Sequence, residues 1–167
     1  IRRSSSTGGT PFKDSLPAVS FDGRRVAFTR EDTSKPIADT GFFETQVMIA
    51  EADGTGLRAV LPVDGIVQDA VAFEPLSGSY RMAWSEIDPV SINAGGPQQY
   101  GLRVVDPDTS TGNLICSSPA LAVPNLGEGR CFGFHVSWPI PGAVVLPQQF
   151  LEIYLDGTAP TSSYQTL

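Results

Sequence analysis

The stretch Pro17-Ala18-Val19-Ser20-Phe21-Asp22-Gly23-Arg24-Arg25-Val26-Ala27-Phe28-Thr29-Arg30 reads as a β-hairpin. Runs of β-type residues at 18–21 and 26–29 flank Asp22-Gly23. Glycine enters the left-handed region without a Cβ penalty, and an aspartate carboxylate bonds back to the turn backbone. An Asp-Gly pair between two such runs therefore predicts a tight reversal. A polar loop containing Pro36 follows, from residue 31 to about 41. The third run is Thr45-Gln46-Val47-Met48-Ile49-Ala50-Glu51, the turn Asp53-Gly54-Thr55-Gly56 reverses the chain again, and residues 57–61 supply a fourth run. Four strands joined in succession by turns predict one meander sheet.

The pattern recurs. Ala70-Val71-Ala72-Phe73 echoes Ala18-Val19-Ser20-Phe21, the turn at 74–79 replaces Asp22-Gly23, and Met82-Ala83-Trp84 echoes Val26-Ala27-Phe28. A second loop rich in Gly and Pro, residues 88–99, fills the slot of the first, and Gly101-Leu102-Arg103-Val104-Val105-Asp106 echoes the third run. A fainter copy begins at Phe134-His135-Val136-Ser137-Trp138, turns at 139–142, and continues through 143–146 and 151–157, with a fourth run at 163–167. Repeats of four strands at this period predict an all-β protein, a partial β-propeller of about three four-stranded antiparallel blades. The expected division is a flexible lead-in at 1–16 and a propeller-like domain at 17–167, with blades near 17–62, 66–118 and 132–167. Phe21, Val26, Phe28, Phe73, Met82 and Trp84 are expected to cover the faces between blades.

The residues Ser20-Phe21-Asp22-Gly23, Val26-Ala27-Phe28, Val47-Met48-Ile49 and Ala52-Asp53-Gly54-Thr55-Gly56-Leu57 resemble the TolB-like (PD40, WD40-like) β-propeller repeat. That repeat pairs a strand ending in Ser-Pro-Asp-Gly with an Ile-Ala-Phe strand, then has an Ile-Tyr-Val-Met strand, an Asp-Gly-Thr-Gly turn and a closing Leu strand. The match is close over 17–61, partial over 70–117 and thin beyond 133. The Phe21 variant of the first motif is also similar to the propeller of hydrazine-synthase alpha-like proteins. The resemblance implies a ring of more blades than this chain carries. Each blade covers its neighbour, so an open stack of three leaves two end faces to be covered by further blades or by a protein partner.

Composition narrows the chemistry. The chain has 167 residues, a net charge of −7 and only 17% charged residues, with Arg2-Arg3 and Arg24-Arg25 its only basic pairs. Nucleic-acid binding needs clustered cations, and none are present. No apolar run reaches bilayer length, so no membrane insertion is expected. The polar start, Arg2-Arg3-Ser4-Ser5-Ser6-Thr7-Gly8-Gly9, reads as the edge of a processed or longer chain. Cys116 and Cys131 bracket a loop containing Pro and Gly. They are expected to form a disulfide, which would stabilise by up to about 3 kcal/mol and imply an oxidising compartment. The alternative is two unrelated thiols.

No catalytic residues, cofactor or metal site are expected. Gly-x-Ser-x-Gly, Cys-x-x-Cys-His and the phosphate-binding glycine patterns are all missing. His135 is a lone strand histidine, read as structural or surface. Asp53, Asp106, Asp108 and Asp156 recur near strand exits, where aspartate forms turns; calcium binding is the alternative. Phe42, Phe43 and Tyr100 sit in or beside the two long loops, which should emerge on one rim, and are the candidate interface. The expected function is a non-catalytic scaffold or protein-binding module, periplasmic or extracellular, docking into a larger assembly. The alternative is the propeller portion of a larger enzyme or redox complex whose chemistry lies on another domain or subunit.

Overall fold

The computed structural model describes residues 10–89, 99–109, 111–117, 136–141, 143–146 and 151–154. The protein is all-β. Its strands are β1 (Phe12–Val19), β2 (Arg25–Pro36), β3 (Phe43–Glu51), β4 (Arg58–Ala59), β5 (Val67–Phe73), β6 (Met82–Asp88), β7 (Gln99–Asp106), β8 (Thr111–Ser117), β9 (Ser137–Ile140), β10 (Ala143–Leu146) and β11 (Leu151–Tyr154). They form an open mixed sheet in the order β1-β2-β3-β5-β6-β7-β8, with β4 on β3, and a second sheet β11-β10-β9.

The mixed sheet consists of two antiparallel meanders, β1–β4 and β5–β8. Among the described residues one parallel pair, Thr45 with Val67, is the only ladder between them. Within each meander the strands pair in chain order, as short turns favour. The first reversal is local: Ser20 O accepts the Gly23 N–H, Asp22 Oδ1 accepts the Arg24 N–H, and Gly23 takes φ 72°.

The first strand of each meander carries the same irregularity. Between Ser15 and Ala18 the pairing with β2 shifts by one residue, and Leu16 turns to φ 50°. Between Asp69 and Ala72 the pairing with β6 shifts likewise, and Ala70 turns to φ 50°. The bulge displaces a carbonyl, and a buried hydroxyl on the next strand recovers it: Thr29 Oγ1 donates to Ser15 O, and Ser85 Oγ donates to Asp69 O. The short β9 also shifts register against β10.

The alternation of side chains gives each meander two faces. On the first, Ala27, Val47 and Ile49 point inward with Val60; on the second, Val71, Phe73, Met82, Trp84 and Val105 meet them. The second meander is buried on its other face too, through Ala83, Ile87, Leu102 and Val104. Burying a side chain the size of Met82 or Trp84 contributes about 2–3 kcal/mol, so this double-sided sheet anchors the molecule. Gly112 lets β8 approach the first meander, since a Cβ there would meet Val105 Cγ2 at 2.7 Å and Leu61 Cδ2 at 3.2 Å.

Several expectations change in detail. The lead-in is shorter than residues 1–16, because β1 already begins at Phe12. Polar cross-strand pairs extend it, Lys13 with Glu31 and Asp14 with Arg30. The fourth run shrinks to Arg58–Ala59. The equivalent of Ala18 is Ala72, not Ala70, and the equivalent of Ser20 is Glu74, since both end their strand by bonding the residue that opens the next. Phe21 covers no neighbour: it sits at the corner of the hairpin turn, 64% exposed. The segment read as a third copy holds Pro139 and Ile140 in a strand, β9, rather than in the expected turn. His135, Asp156 and residues 163–167 lie outside the described residues.

Candidate functional site

The strands end on two rims. The turns at 20–25, 52–57, 74–81 and 107–109 gather on one, because Tyr80 and Asp22 meet there, as do Arg25 and Asp108. The connections after β2 and β6 leave from the opposite rim.

On that opposite rim the loop from Ile37 to Phe42 is closed on itself. Ile37 N–H donates to Phe42 O at 2.9 Å, Thr40 Oγ1 donates to Ile37 O at 2.7 Å, and Phe42 N–H donates to Thr40 Oγ1 at 3.1 Å. Ile37 is buried as the anchor of this loop, and Phe42 is left 41% exposed at its end. Phe43 begins β3, half-buried, with the Lys13 ammonium 5.9 Å from its ring centre. Tyr100 is placed by its backbone, opposite Ile87 at the start of β7. Phe43 and Tyr100 thus stand at equivalent strand starts in the two meanders. Residues 90–98 of the second loop lie outside the described residues. So does Cys131; Cys116 is placed by its backbone, opposite Leu102.

Below the rim lies a buried polar network that sequence reasoning missed. Gln68 is fully buried; its Oε1 accepts the Val47 N–H at 2.8 Å and its Nε2 donates to Leu61 O at 2.9 Å. The amide stands in for a strand and satisfies the edge of β3 where β4 has ended. On the second meander, Arg103 holds Glu86 in a two-pronged pair at 2.6 and 2.8 Å, and Trp84 Nε1 donates to the same carboxylate at 3.0 Å. Gln68 Nε2 lies 3.4 Å from Glu86 Oε1 and links the two halves. The only hint in the sequence was a charged residue inside the apolar run Met82-Ala83-Trp84-Ser85-Glu86-Ile87.

The turn rim holds a second cluster. Tyr80 donates to Asp22 Oδ2 at 2.7 Å, and the Arg25 guanidinium stacks 3.8 Å from the Tyr80 ring centre while pairing with Asp108 at 2.7 Å. Arg58 donates to Pro107 O at 2.6 Å. The Arg24 N–H, the Tyr80 hydroxyl and the Ser20 hydroxyl hold the Asp22 carboxyl at about 2, well below its ordinary 3.8. The same hydrogen bond raises the Tyr80 phenol above 10.0. Neither group trades protons near neutral pH, so the pair acts as a clasp between meanders rather than as an acid–base couple. Asp53 and Asp106 behave as turn formers, accepting from the Thr55 N–H and hydroxyl and from the Asp108 N–H.

The outward face of the first meander has a shallow pocket of about 50 Å³ between Phe12, Arg30, Asp32, Lys35, Glu44 and Gln46. Its volume suits a water or two rather than a metabolite. Arg30 is already committed to Asp14 by two bonds, and Lys35 faces Glu44 at 3.4 Å. Among the described residues, no group of three His, Cys, Asp or Glu side chains gathers to hold a metal ion, and no helix is long and apolar enough to cross a membrane.

The described residues thus place polar clusters on and below the two rims of the sheet, with Phe42 exposed at the end of a self-bonded loop. No family model, curated protein or solved structure matches the chain.

Proposed function

We propose that the chain is a run of TolB-like propeller blades, about three in number, acting as a non-catalytic exported module that docks into a larger assembly of proteins. The observation that carries this reading is the second meander, whose two faces are both apolar and both buried: Met82, Trp84 and Val105 on one, Ala83, Ile87 and Leu102 on the other. A blade needs this burial pattern; an antiparallel sheet with one face in water does not. Supporting it, the first strands β1, β5 and β9 adjoin one another in sequence, as inner strands of neighbouring blades would. Arg81 also reaches across to the Trp138 ring at 5.6 Å.

An open run of blades needs cover at its ends. The outward face of the first meander bears Phe12, Val19, Val26 and Phe28, of which Val19 is 60% exposed. Large contiguous apolar areas are uncommon on monomers. The test is light scattering on residues 1–167, followed by native mass spectrometry of the protein taken from its source. The expected result is self-association of the isolated chain and a heteromeric or longer-chain species in the native sample. A well-folded monomer that shows no association at any concentration overturns the reading. A haem-bearing or hydrolytic subunit in the native species moves the chain into a larger enzyme.

A further inference from the structure

Three described Asp-Gly pairs, Asp22-Gly23, Asp53-Gly54 and Asp64-Gly65, all lie in turns with the glycine at positive φ. An Asp-Gly pair is the sequence most open to succinimide chemistry, because glycine leaves its amide nitrogen unshielded. Whether the reaction proceeds in a folded protein depends on whether the carboxyl can swing onto that nitrogen. The structure separates the three pairs on this point.

At Asp22, Oδ1 accepts the Arg24 N–H at 3.0 Å and the Ser20 hydroxyl at 2.8 Å, and Oδ2 accepts the Tyr80 hydroxyl at 2.7 Å. The carboxyl is turned forward along the chain, past Gly23. At Asp53, Oδ1 accepts the Thr55 N–H at 2.9 Å and the Thr55 hydroxyl at 2.7 Å, which fixes the same forward orientation. Both carboxyls are also held below their ordinary titration range by these bonds, and the carboxylate is the less electrophilic form. Asp64 differs: it is exposed, and its side chain has no hydrogen bond or ion pair among the described residues. A Cβ built on Gly65 would meet nothing within 4 Å, so space beside the nucleophilic nitrogen is open. The Gly65 N–H points at Glu44 Oε1, 3.1 Å away. The N–H must be released for the nitrogen to attack, but the Gly23 and Gly54 N–H groups are likewise bonded, to Ser20 O and Glu51 O, so the carboxyl's freedom is what separates the three pairs.

We propose that Asp64 is a site of spontaneous isoaspartate formation in the folded protein, and that Asp22 and Asp53 are protected from it by their turn hydrogen bonds. The Gly65 nitrogen forms a bond to Asp64 Cγ; the amide proton and the carboxyl hydroxyl leave as water. Water then reopens the ring at either carbonyl. Attack at the former side-chain carbonyl restores aspartate. Attack at the main-chain carbonyl leaves the chain running through Cγ, one carbon longer. The added carbon falls between Val60, whose N–H bonds Val47 O, and Val67, whose pairing with Thr45 joins the meanders. The product is a substrate for an isoaspartate-repairing methyltransferase, which also supplies the probe.

The experiment ages the whole chain at 37 °C in mildly acidic and neutral buffer, with a free Val-Asp-Gly-Ile peptide alongside. Isoaspartate is located by methyltransferase labelling and by electron-transfer fragmentation of peptides. The expected result is label concentrated at 64, severalfold above 22 and 53, and lost in Asp64→Glu, which keeps the charge and disfavours the five-membered ring. Ser20→Ala, which removes a bond to the Asp22 carboxyl, should raise labelling at 22. An even distribution, or a maximum at 22 or 53, overturns the proposal. So does an unlabelled 64 once the free peptide has converted.

Discussion

Asp22 shows what one residue owes to its neighbours in sequence and what it owes to the fold. Its place in a hairpin turn was legible, because Asp22-Gly23 forms that turn with partners two residues away. Its bond to Tyr80 was not, because the two are 58 positions apart and meet only when the meanders dock. Phe21 was misread for a related reason. It looks like the last apolar residue of a strand, but the Gly23 N–H bond to Ser20 O places it at a corner facing solvent. The Asp22–Tyr80 clasp predicts two titrations. Asp22 titrates at about 2 when folded, so its contribution to stability is complete above its ordinary 3.8 and is lost as pH falls through 2. Tyr80 is raised, so its contribution is complete below 10.0 and is lost as pH rises through the higher value. Carboxyl carbon NMR should show Asp22 ionised at pH 3, and phenolate absorbance should show a tyrosine titrating late. Asp22→Ala should return that tyrosine toward 10.0; an unchanged late titration would assign the shift elsewhere.

Strands were easiest to place where apolar alternation bounded them and hardest where polar residues did the pairing. β10 fell at Ala143–Leu146 as expected. The start of β1 was missed because Phe12, Lys13 and Asp14 have no apolar alternation, and ion pairs to β2 hold them instead. β4 was overestimated because a side chain, Gln68, takes the strand edge that a longer β4 would have used. The bulges had no signal in single residues, since neither Leu16 nor Ala70 favours positive φ. Yet each is closed by a hydroxyl at the equivalent position of the next strand, Thr29 and Ser85. Thr29 is buried and isosteric with valine, so Thr29→Val tests the device with little change in packing. It should cost about 1 kcal/mol through the lost bond to Ser15 O, read as a lower urea midpoint at unchanged slope. An unchanged midpoint would mean that the carbonyl finds water instead.

For the molecule as a whole, the all-β class was legible, whereas the way one meander sits on the next was not. Phe42 ends the self-bonded loop and Phe43 opens β3, while the polar contacts between the meanders are buried and periodicity does not reveal them. Glu86 and Arg103 are the test. Removing one partner strands the other charge in a mostly buried site, while replacing both with apolar residues need not. Glu86→Leu should destabilise by about 3 kcal/mol, and adding Arg103→Met should recover much of that loss in chemical denaturation. If the double variant is as unstable as the single, the network's value lies in Gln68 and Trp84 rather than in the ion pair. The lone pairing of Thr45 with Val67 has a kinetic consequence. Among the described residues every other ladder joins strands consecutive in the chain, so the loops that must close within a meander are shorter than the one between meanders. The ladders of each meander are then expected to close before the two dock over their shared core, and pulsed hydrogen exchange that protects Val47 and Trp84 only together with every other strand amide would refute this order.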